Sequence, residues 1–259
     1  MDGAAPHFTA HNIRLDDGSQ TLPEAGRTIG ELPLFLSVAR MLRTMFPGGL
    51  AGRSIIDIGC LEGGYATEFA RLGMDAVGLD VRRSNIEACE WVRARVDLPN
   101  LRFVQDDAAN LDRHGPFDVV FMNGLFYHLE HPRRMMESVG RNCRKAVFIQ
   151  THFTQPGDSA AVAHFGLSEM TEHEGLQGRW YHEHGDVPPD VLDRDMRWAS
   201  WSNTRSFWLD KPDLLHLLAQ SGFDIVLEQY DQLGRPLAKR IRTGAYALQD
   251  RSLFAGIKA

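Results

Sequence analysis

From about residue 53 the chain alternates short apolar runs with stretches whose apolar residues recur at helical spacing, the pattern of a parallel sheet covered by helices. "RSIIDIG" (53–59) reads as a first strand, "GGYATEFARLG" (63–73) as a helix stopped by Gly73, and "MDAVGLD" (74–80) as a second strand. "SNIEACEWVRARV" (84–96) reads as a helix with Ser84 as its N-cap. The strands "LRFVQ" (101–105) and "FDVVFMN" (117–123), the helix "PRRMMESVGRNC" (132–143) and the strand "KAVFIQT" (145–151) follow, making five strands by residue 151. A helix "KPDLLHLLAQSG" (211–222), a strand "FDIVLEQ" (223–229), a polar loop with Gly and Pro, and a last strand near "SLFAGIK" (252–258) bring the sheet to seven.

Two segments stand outside the alternation. Residues 1–50 hold one amphipathic helix, "ELPLFLSVARMLRTMF" (31–46), closed by "PGG", which reads as a cap on the sheet and a candidate homodimer contact. Residues 152–209 carry little period of either kind, yet contain Trp180, Trp198, Trp201 and Trp208, four of the chain's five tryptophans. So much aromatic surface reads as an inserted lid over a binding site. The expected organisation is therefore α/β: a doubly wound, seven-stranded, mostly parallel sheet, with a helical cap (1–50), a ligand-binding core (51–151), an inserted aromatic lid (152–209) and a segment that completes the sheet (210–259).

Composition narrows the partners. A formal net charge of −6 argues against nucleic acid as the main partner, and the basic run "KRIR" (239–242) reads as a solvated loop. The apolar runs are far shorter than the ~18 residues a membrane helix needs. The start "MDGAAPHFTAHNIRLDDG" has neither a basic flank nor an apolar stretch, so a cytoplasmic address without membrane attachment is expected. Three cysteines without metal-like spacing suit a reducing compartment.

Chemistry enters at the strand ends. In a doubly wound sheet the ligand sits beyond the carboxyl ends of the strands, where the strand order reverses. Gly59 lets the chain bend there, and Gly63 and Gly64 keep the helix start uncluttered. Asp80, 21 residues after Gly59, is placed to accept from a ribose diol, and Asp107 in "QDDA" to accept from the amine of an adenine. Leu61 stands where a dinucleotide-binding turn keeps its second glycine, and no Walker-type Lys-Ser or Lys-Thr follows, so a diphosphate is disfavoured. Asp57 would suit a cofactor that carries an ammonium group.

The stretches "IIDIGCLEGGYATEFARLG", "VGLDV", "QDDAANL" and "FDVVFMNGLFYHLEHP" resemble the successive motifs of class I S-adenosylmethionine-dependent methyltransferases, over roughly residues 50–151. The resemblance implies a Rossmann-like fold and S-adenosyl-L-methionine as cofactor, with S-adenosyl-L-homocysteine as product. It implies that Asp57, Gly59, Cys60 and Gly63 hold the methionine moiety, Asp80 the ribose, and Asp107 with the Ala108 amide the adenine. It places Asn123, Gly124 and Leu125 at the sulfonium end, with Tyr65 either near the methionine or packed on the sheet. Residues 203–226, "NTRSFWLDKPDLLHLLAQSGFDIV", are more loosely similar to the carboxyl half of bacterial enzymes that modify the wobble uridine of transfer RNA.

A phenol, sugar hydroxyl or carbon acid must lose a proton to accept a methyl, and histidine is the side chain best matched to that task near neutrality. His128, just after the fourth strand, and His152, ending the fifth, are the candidate bases. In "GRWYHEHGD", His182, Glu183, His184 and Asp186 form a tight sequence cluster, but no second pair has matching spacing and no metal is expected. Trp180, Tyr181 and His182 read instead as an acceptor wall, with Trp198, Trp201 and Asn203 completing the pocket. The expected function is methyl transfer to a small-molecule acceptor, most naturally an oxygen of a natural product or sugar-like metabolite. The alternatives are an RNA-modifying methyltransferase and a non-catalytic S-adenosylmethionine sensor.

Overall fold

A computed structural model describes residues 5–155, 159–229, 242 and 250–259 of the chain. Residues 239–241 of the basic run, and most of the polar loop ahead of the last strand, lie outside the described residues. The amphipathic N-terminal stretch forms α1 (Pro33–Met45), started by a proline in its first turn and burying Phe35, Val38, Ala39 and Leu42 on one face. The alternation then unfolds as β1 (Ser54–Ile58), α2 (Gly64–Arg71), β2 (Asp75–Asp80), α3 (Arg83–Arg93), β3 (Leu101–Gln105), β4 (Phe117–Asn123), α4 (Pro132–Asn142) and β5 (Cys143–His152). The following stretch contains α5 (Ser159–Phe165), β6 (Thr171–His173), β7 (Leu176–His182), α6 (Pro189–Asp195) and β8 (Arg205–Leu209). The chain ends through α7 (Lys211–Gln220), β9 (Ile225–Gln229) and β10 (Arg251–Ile257).

The seven strands of the main sheet lie in the order β3-β2-β1-β4-β5-β10-β9. The pairings from β3 through to β5 are parallel, and β10 runs antiparallel to both β5 and β9. Side chains alternate between the two faces. Ile55, Phe121 and Phe148 pack with α1, α2 and α3, while Ile56, Val120 and Ile149 pack with α4 and α7. Burial on both faces is why these strands read as continuous apolar runs. The strand order reverses between β1 and β4, and the crevice opens there.

Two local readings are corrected. The helix α3 starts at Arg83 with Arg82 in the cap position, because the Asp80 carboxylate accepts from Arg82 N at 2.9 Å and from Asn85 Nδ2 at 3.1 Å. Ser84 instead donates its hydroxyl to the Asp193 carbonyl at 3.0 Å, tying α3 to α6. The aperiodic stretch from 152 to 209 holds a three-stranded antiparallel sheet, β6-β7-β8. Its centre strand lacks clean alternation because Gly178 is buried, its Cα facing the Phe207 ring and the Trp208 carbonyl too closely for any side chain. Among the described residues no helix is long and apolar enough to cross a membrane.

Gly63, in the turn between β1 and α2, has a φ of 80°, and a Cβ there would lie 2.7 Å from the Phe103 ring and 3.0 Å from Cys89 Sγ. Both the left-handed conformation and the collision with a packed ring oppose any larger residue. Gly63→Ala should therefore lower unfolding free energy by about 2–4 kcal/mol, read from urea unfolding. A loss below about 1 kcal/mol would show that the turn relaxes freely.

Candidate active site

At the carboxyl ends of β1, β2 and β4 lies a cavity of about 250 Å³. Its floor is Asp57, Gly59, Cys60, Leu61, Tyr65, Asp80, Asp107, Ala108, Asn123, Gly124 and Leu125, so ten of the sequence-predicted cofactor residues converge on one crevice together with Leu61. Gly63 is the exception. It points away from the crevice, into Phe103 and Cys89, and shapes the turn from behind.

The turn is held by Asp80. One carboxylate oxygen accepts from Leu61 N at 2.9 Å, while the other takes the Arg82 amide and the Asn85 side chain. Leu61 adopts a φ of 51°, a left-handed conformation usually left to glycine, and the hydrogen bond its N–H donates to Asp80 offsets that strain. Gly59, with a φ of 73°, brings its Cα against Leu125, where a Cβ would come within 3.2 Å. Burial raises the Asp80 carboxyl above the usual range, against the pull of its hydrogen bonds to Arg82, Asn85 and Leu61.

Asp57 lies beneath this turn, 2% exposed, and its Oδ2 has no hydrogen-bond partner among the described residues. Desolvation pushes its carboxyl up to about 8, with the nearby Asp80 adding to the rise and a backbone bond to Ala66 opposing it. A buried carboxyl with an unused oxygen on the cavity wall is the complement of a cationic group. Tyr65 packs beside it, its hydroxyl hydrogen-bonded to Asn123, and burial drives its phenol upward.

Glu62 was not singled out by the sequence, and it organises the wall. Its fully buried carboxylate accepts from the backbone N–H groups of Thr9, Ala10 and His11 at 2.6, 3.1 and 2.8 Å and from the Thr9 hydroxyl at 2.9 Å. This draws the N-terminal strap across the β1–α2 turn. His11 then accepts a hydrogen bond at Nδ1 from Gly64 N at 3.0 Å. Burial lowers its pKa to about 4, so the ring is neutral with its proton on Nε2.

Residues 197–203 form the roof of the cavity. Arg82, 3% exposed at the end of β2, donates through Nη2 to the Ala199 and Met196 carbonyls at 2.5 and 3.1 Å, and its guanidinium lies 5.0 Å from the Trp201 ring centre. Trp198, Trp201 and Asn203 thus line the cavity, with Trp198 59% exposed at the rim. Trp180, Tyr181 and His182 do not. Trp180 packs on Phe207 and under Arg205, Tyr181 stacks on Trp208 at 5.2 Å, and His182 faces solvent.

The two candidate bases part company. His128 lines the cavity, and its Nδ1 lies 2.8 Å from Glu183 Oε1. Glu183, its side chain 1% exposed, also accepts from the Ser206 hydroxyl at 2.7 Å and from Ser200 N at 3.1 Å. As the carboxylate accepts, His128 Nδ1 carries a proton, and Nε2 meets no hydrogen-bonding group among the described residues. Asn203 holds the His128 carbonyl at 3.0 Å. His152 lies outside the cavity, stacked on Trp208 at 4.7 Å and edge-on to Tyr127. Burial, with Arg251 nearby, lowers its pKa to about 4.

The cluster at 182–186 does not gather around a point, since Glu183 turns to His128 and His184 to the Gly185 and Ser200 carbonyls. His131, His173 and Glu174 do come together. Glu174 there accepts from Arg133 N at 3.0 Å and pairs with His131 and Arg134, which fastens the β6–β7 hairpin to the start of α4.

Comparison with known proteins agrees with this geometry. Residues 33–228 match the family model described as a methyltransferase domain. Ubiquinone biosynthesis O-methyltransferases from Acinetobacter baylyi and Proteus mirabilis are 26% and 29% identical over 93 and 101 residues, 35% and 38% of this chain. The matched part spans only 39% of the length of these relatives. The N-terminal domain of EvdMO1, crystallised with S-adenosylhomocysteine (SAH) and D-fucose, superposes with a TM-score of 0.66 at 18% identity, covering 96% of this chain and 90% of that one. Magnesium protoporphyrin IX methyltransferase from Synechocystis PCC 6803, with bound SAH, gives 0.53 at 13% identity over 88% of this chain and 84% of that one. With the strand order, the acidic strand ends and the family match in agreement, the chain belongs to the methyltransferase-domain family of class I, S-adenosylmethionine-dependent enzymes.

Proposed function

We propose that this protein methylates a hydroxyl oxygen of a small molecule, with His128 as general base and Glu183 as the residue that orients it. The observation that carries this reading is the His128–Glu183 pair, in which a buried carboxylate holds Nδ1 of a histidine that lines the cavity. An amine in its neutral form attacks through its lone pair without a base, whereas a hydroxyl gains its nucleophilicity by giving up a proton. S-adenosylmethionine supplies a methyl already activated on a cationic sulfur, and the residues of this chain bind, align and deprotonate.

In this reading Asp57 pairs with the ammonium group, Asp80 accepts from the ribose, and Asp107 with the Ala108 amide meets the adenine edge. Gly59, Cys60, Asn123, Gly124 and Leu125 give the methionine chain and the sulfonium a close-fitting wall. His128 Nε2 takes the acceptor proton, and the Glu183 carboxylate stabilises the imidazolium that forms. Trp198, Trp201 and Asn203 line the acceptor side, and the roof excludes water. Holding the oxygen in line with the breaking C–S bond can supply much of the barrier reduction. A sugar-like acceptor comes first because a domain with this fold, that of EvdMO1, was crystallised with D-fucose.

Incubation with methyl-labelled cofactor and a panel of sugars, phenols and amines tests the reading. Label transferred to amines alone would remove the oxygen assignment. His128→Ala should lower kcat by about 10²–10⁴-fold and leave SAH affinity unchanged, and Glu183→Gln should lower kcat by about tenfold or more through the loosened ring.

Asp57 generates a pH dependence. Its carboxyl is raised to about 8, so below that pH it is protonated in the free protein, and an ammonium ligand must expel the proton to pair with it. Affinity for SAH should therefore rise by up to about tenfold per pH unit as pH approaches about 8, then level off. Calorimetry in buffers of different ionisation enthalpy should show release of about one proton at neutral pH. Asp57→Asn should abolish that release, and a wild-type protein that releases none would overturn the pairing.

A further inference from the structure

The cofactor carries one more charge than the partners named so far can meet. Its ammonium, ribose and adenine each have a candidate, but the α-carboxylate beside the ammonium has none, and a carboxylate taken out of water needs a cation or directed N–H groups. Two donors stand on the cavity wall at the β1–α2 turn. Arg197, from the roof, uses Nη1 to donate to the His7 carbonyl at 3.0 Å, with Glu62 Oε1 3.6 Å away. Its side chain is 13% exposed, and it lines the cavity. Nη2 and Nε meet no hydrogen-bonding group among the described residues, which leaves the second edge of the guanidinium fork for a ligand.

His11 is the other. Because Gly64 N donates to its Nδ1, the ring proton sits on Nε2, and His11 borders the cavity beside Tyr65, with ring centres 5.5 Å apart. Glu62, the nearest anion, does not consume Arg197, since four donors from Thr9, Ala10 and His11 already surround its carboxylate. Strap, turn and roof therefore meet on the wall of the cavity that Asp57 also lines, as the two charged groups on one carbon of an amino acid require.

We propose that Arg197 and His11 form the binding subsite for the α-carboxylate of the cofactor, so that the roof itself recognises the amino-acid end. The proposal rests on the assignment of the cavity to S-adenosylmethionine. It makes the roof a specificity element, selecting the intact amino acid over nucleoside thioethers that lack the carboxylate.

Calorimetric titration with SAH and with S-adenosyl-3-thiopropylamine, the same molecule without its carboxylate, tests it. The wild-type protein should bind SAH more tightly. Arg197→Ala should weaken SAH at least about tenfold while changing the decarboxylated compound by less than about twofold, and Arg197→Lys should recover part of the loss. His11→Phe should reduce the same preference several-fold, whereas His11→Gln, which keeps an acceptor for Gly64 and an N–H donor, should retain it. Equal weakening of both compounds by Arg197→Ala would mean that Arg197 only braces the roof, and no weakening of either would mean that it faces elsewhere. Either result overturns the subsite. Wild-type protein that binds neither compound would instead remove the cofactor assignment on which the subsite rests.

Discussion

A parallel sheet whose strand order reverses must open at the reversal, because the loops after β1 and β4 leave in opposite directions and nothing of the sheet fills the gap. Each feature of the site follows from that opening. The crevice exposes the ends of β1, β2 and β4 together, so residues 57, 80 and 123 become neighbours although the chain separates them widely. It also leaves the first turn of α2 facing outward, where only close-approaching backbone fits. The left-handed conformations of Gly59, Leu61 and Gly63 are the local form of this constraint.

Two buried charges close the opening. Glu62 sits where desolvation would cost several kcal/mol without partners, and the strap supplies three amides and a hydroxyl. Arg82 faces the same requirement at the end of β2 and meets it with roof carbonyls. The strap also buries Phe8, Ile13 and Leu15 in the core, whereas the roof span 197–203 buries no apolar side chain. Polar satisfaction therefore places the roof and adds direction to the strap's apolar anchorage.

This division explains what was legible in the sequence. The strands "LRFVQ" and "FDVVFMN" match β3 and β4 residue for residue, β4 because burial on both faces writes a nearly continuous apolar run, and the edge strand β3 because buried Leu101 and Phe103 alternate with exposed Arg102 and Gln105. Ten of the predicted cofactor residues share the crevice because strand ends are fixed once the strands are. Partners joined across long separations were not legible. Glu183 reads as one member of the His-rich cluster at 182–186, and only the β7–β8 pairing turns it toward His128, 55 residues away. Trp180 and Tyr181 have the same aromatic character as Trp198 and Trp201, yet lie in a strand that packs behind the site. Residue type cannot distinguish a wall from a buttress. Glu62 carried a faint signal, a carboxylate amid small and apolar residues in "GCLEGG", which no solvent-facing turn would explain.

The roof also joins two halves of the chemistry. Arg197 lies against the turn that follows β1, Ala199 and Ser200 over the end of β2, and Asn203 on the carbonyl of His128. Ser200 in addition gives its amide to the carboxylate that holds the His128 ring. A single seven-residue span therefore contacts the cavity wall at the β1–α2 turn and fixes His128, so a displaced roof would disturb both together. An imidazole left without the Ser200–Glu183–Ser206 network would keep its basic nitrogen and lose its aim. If His128 is the proposed base, positioning carries much of the rate, and the roof acts as a component of catalysis and not only as a cover.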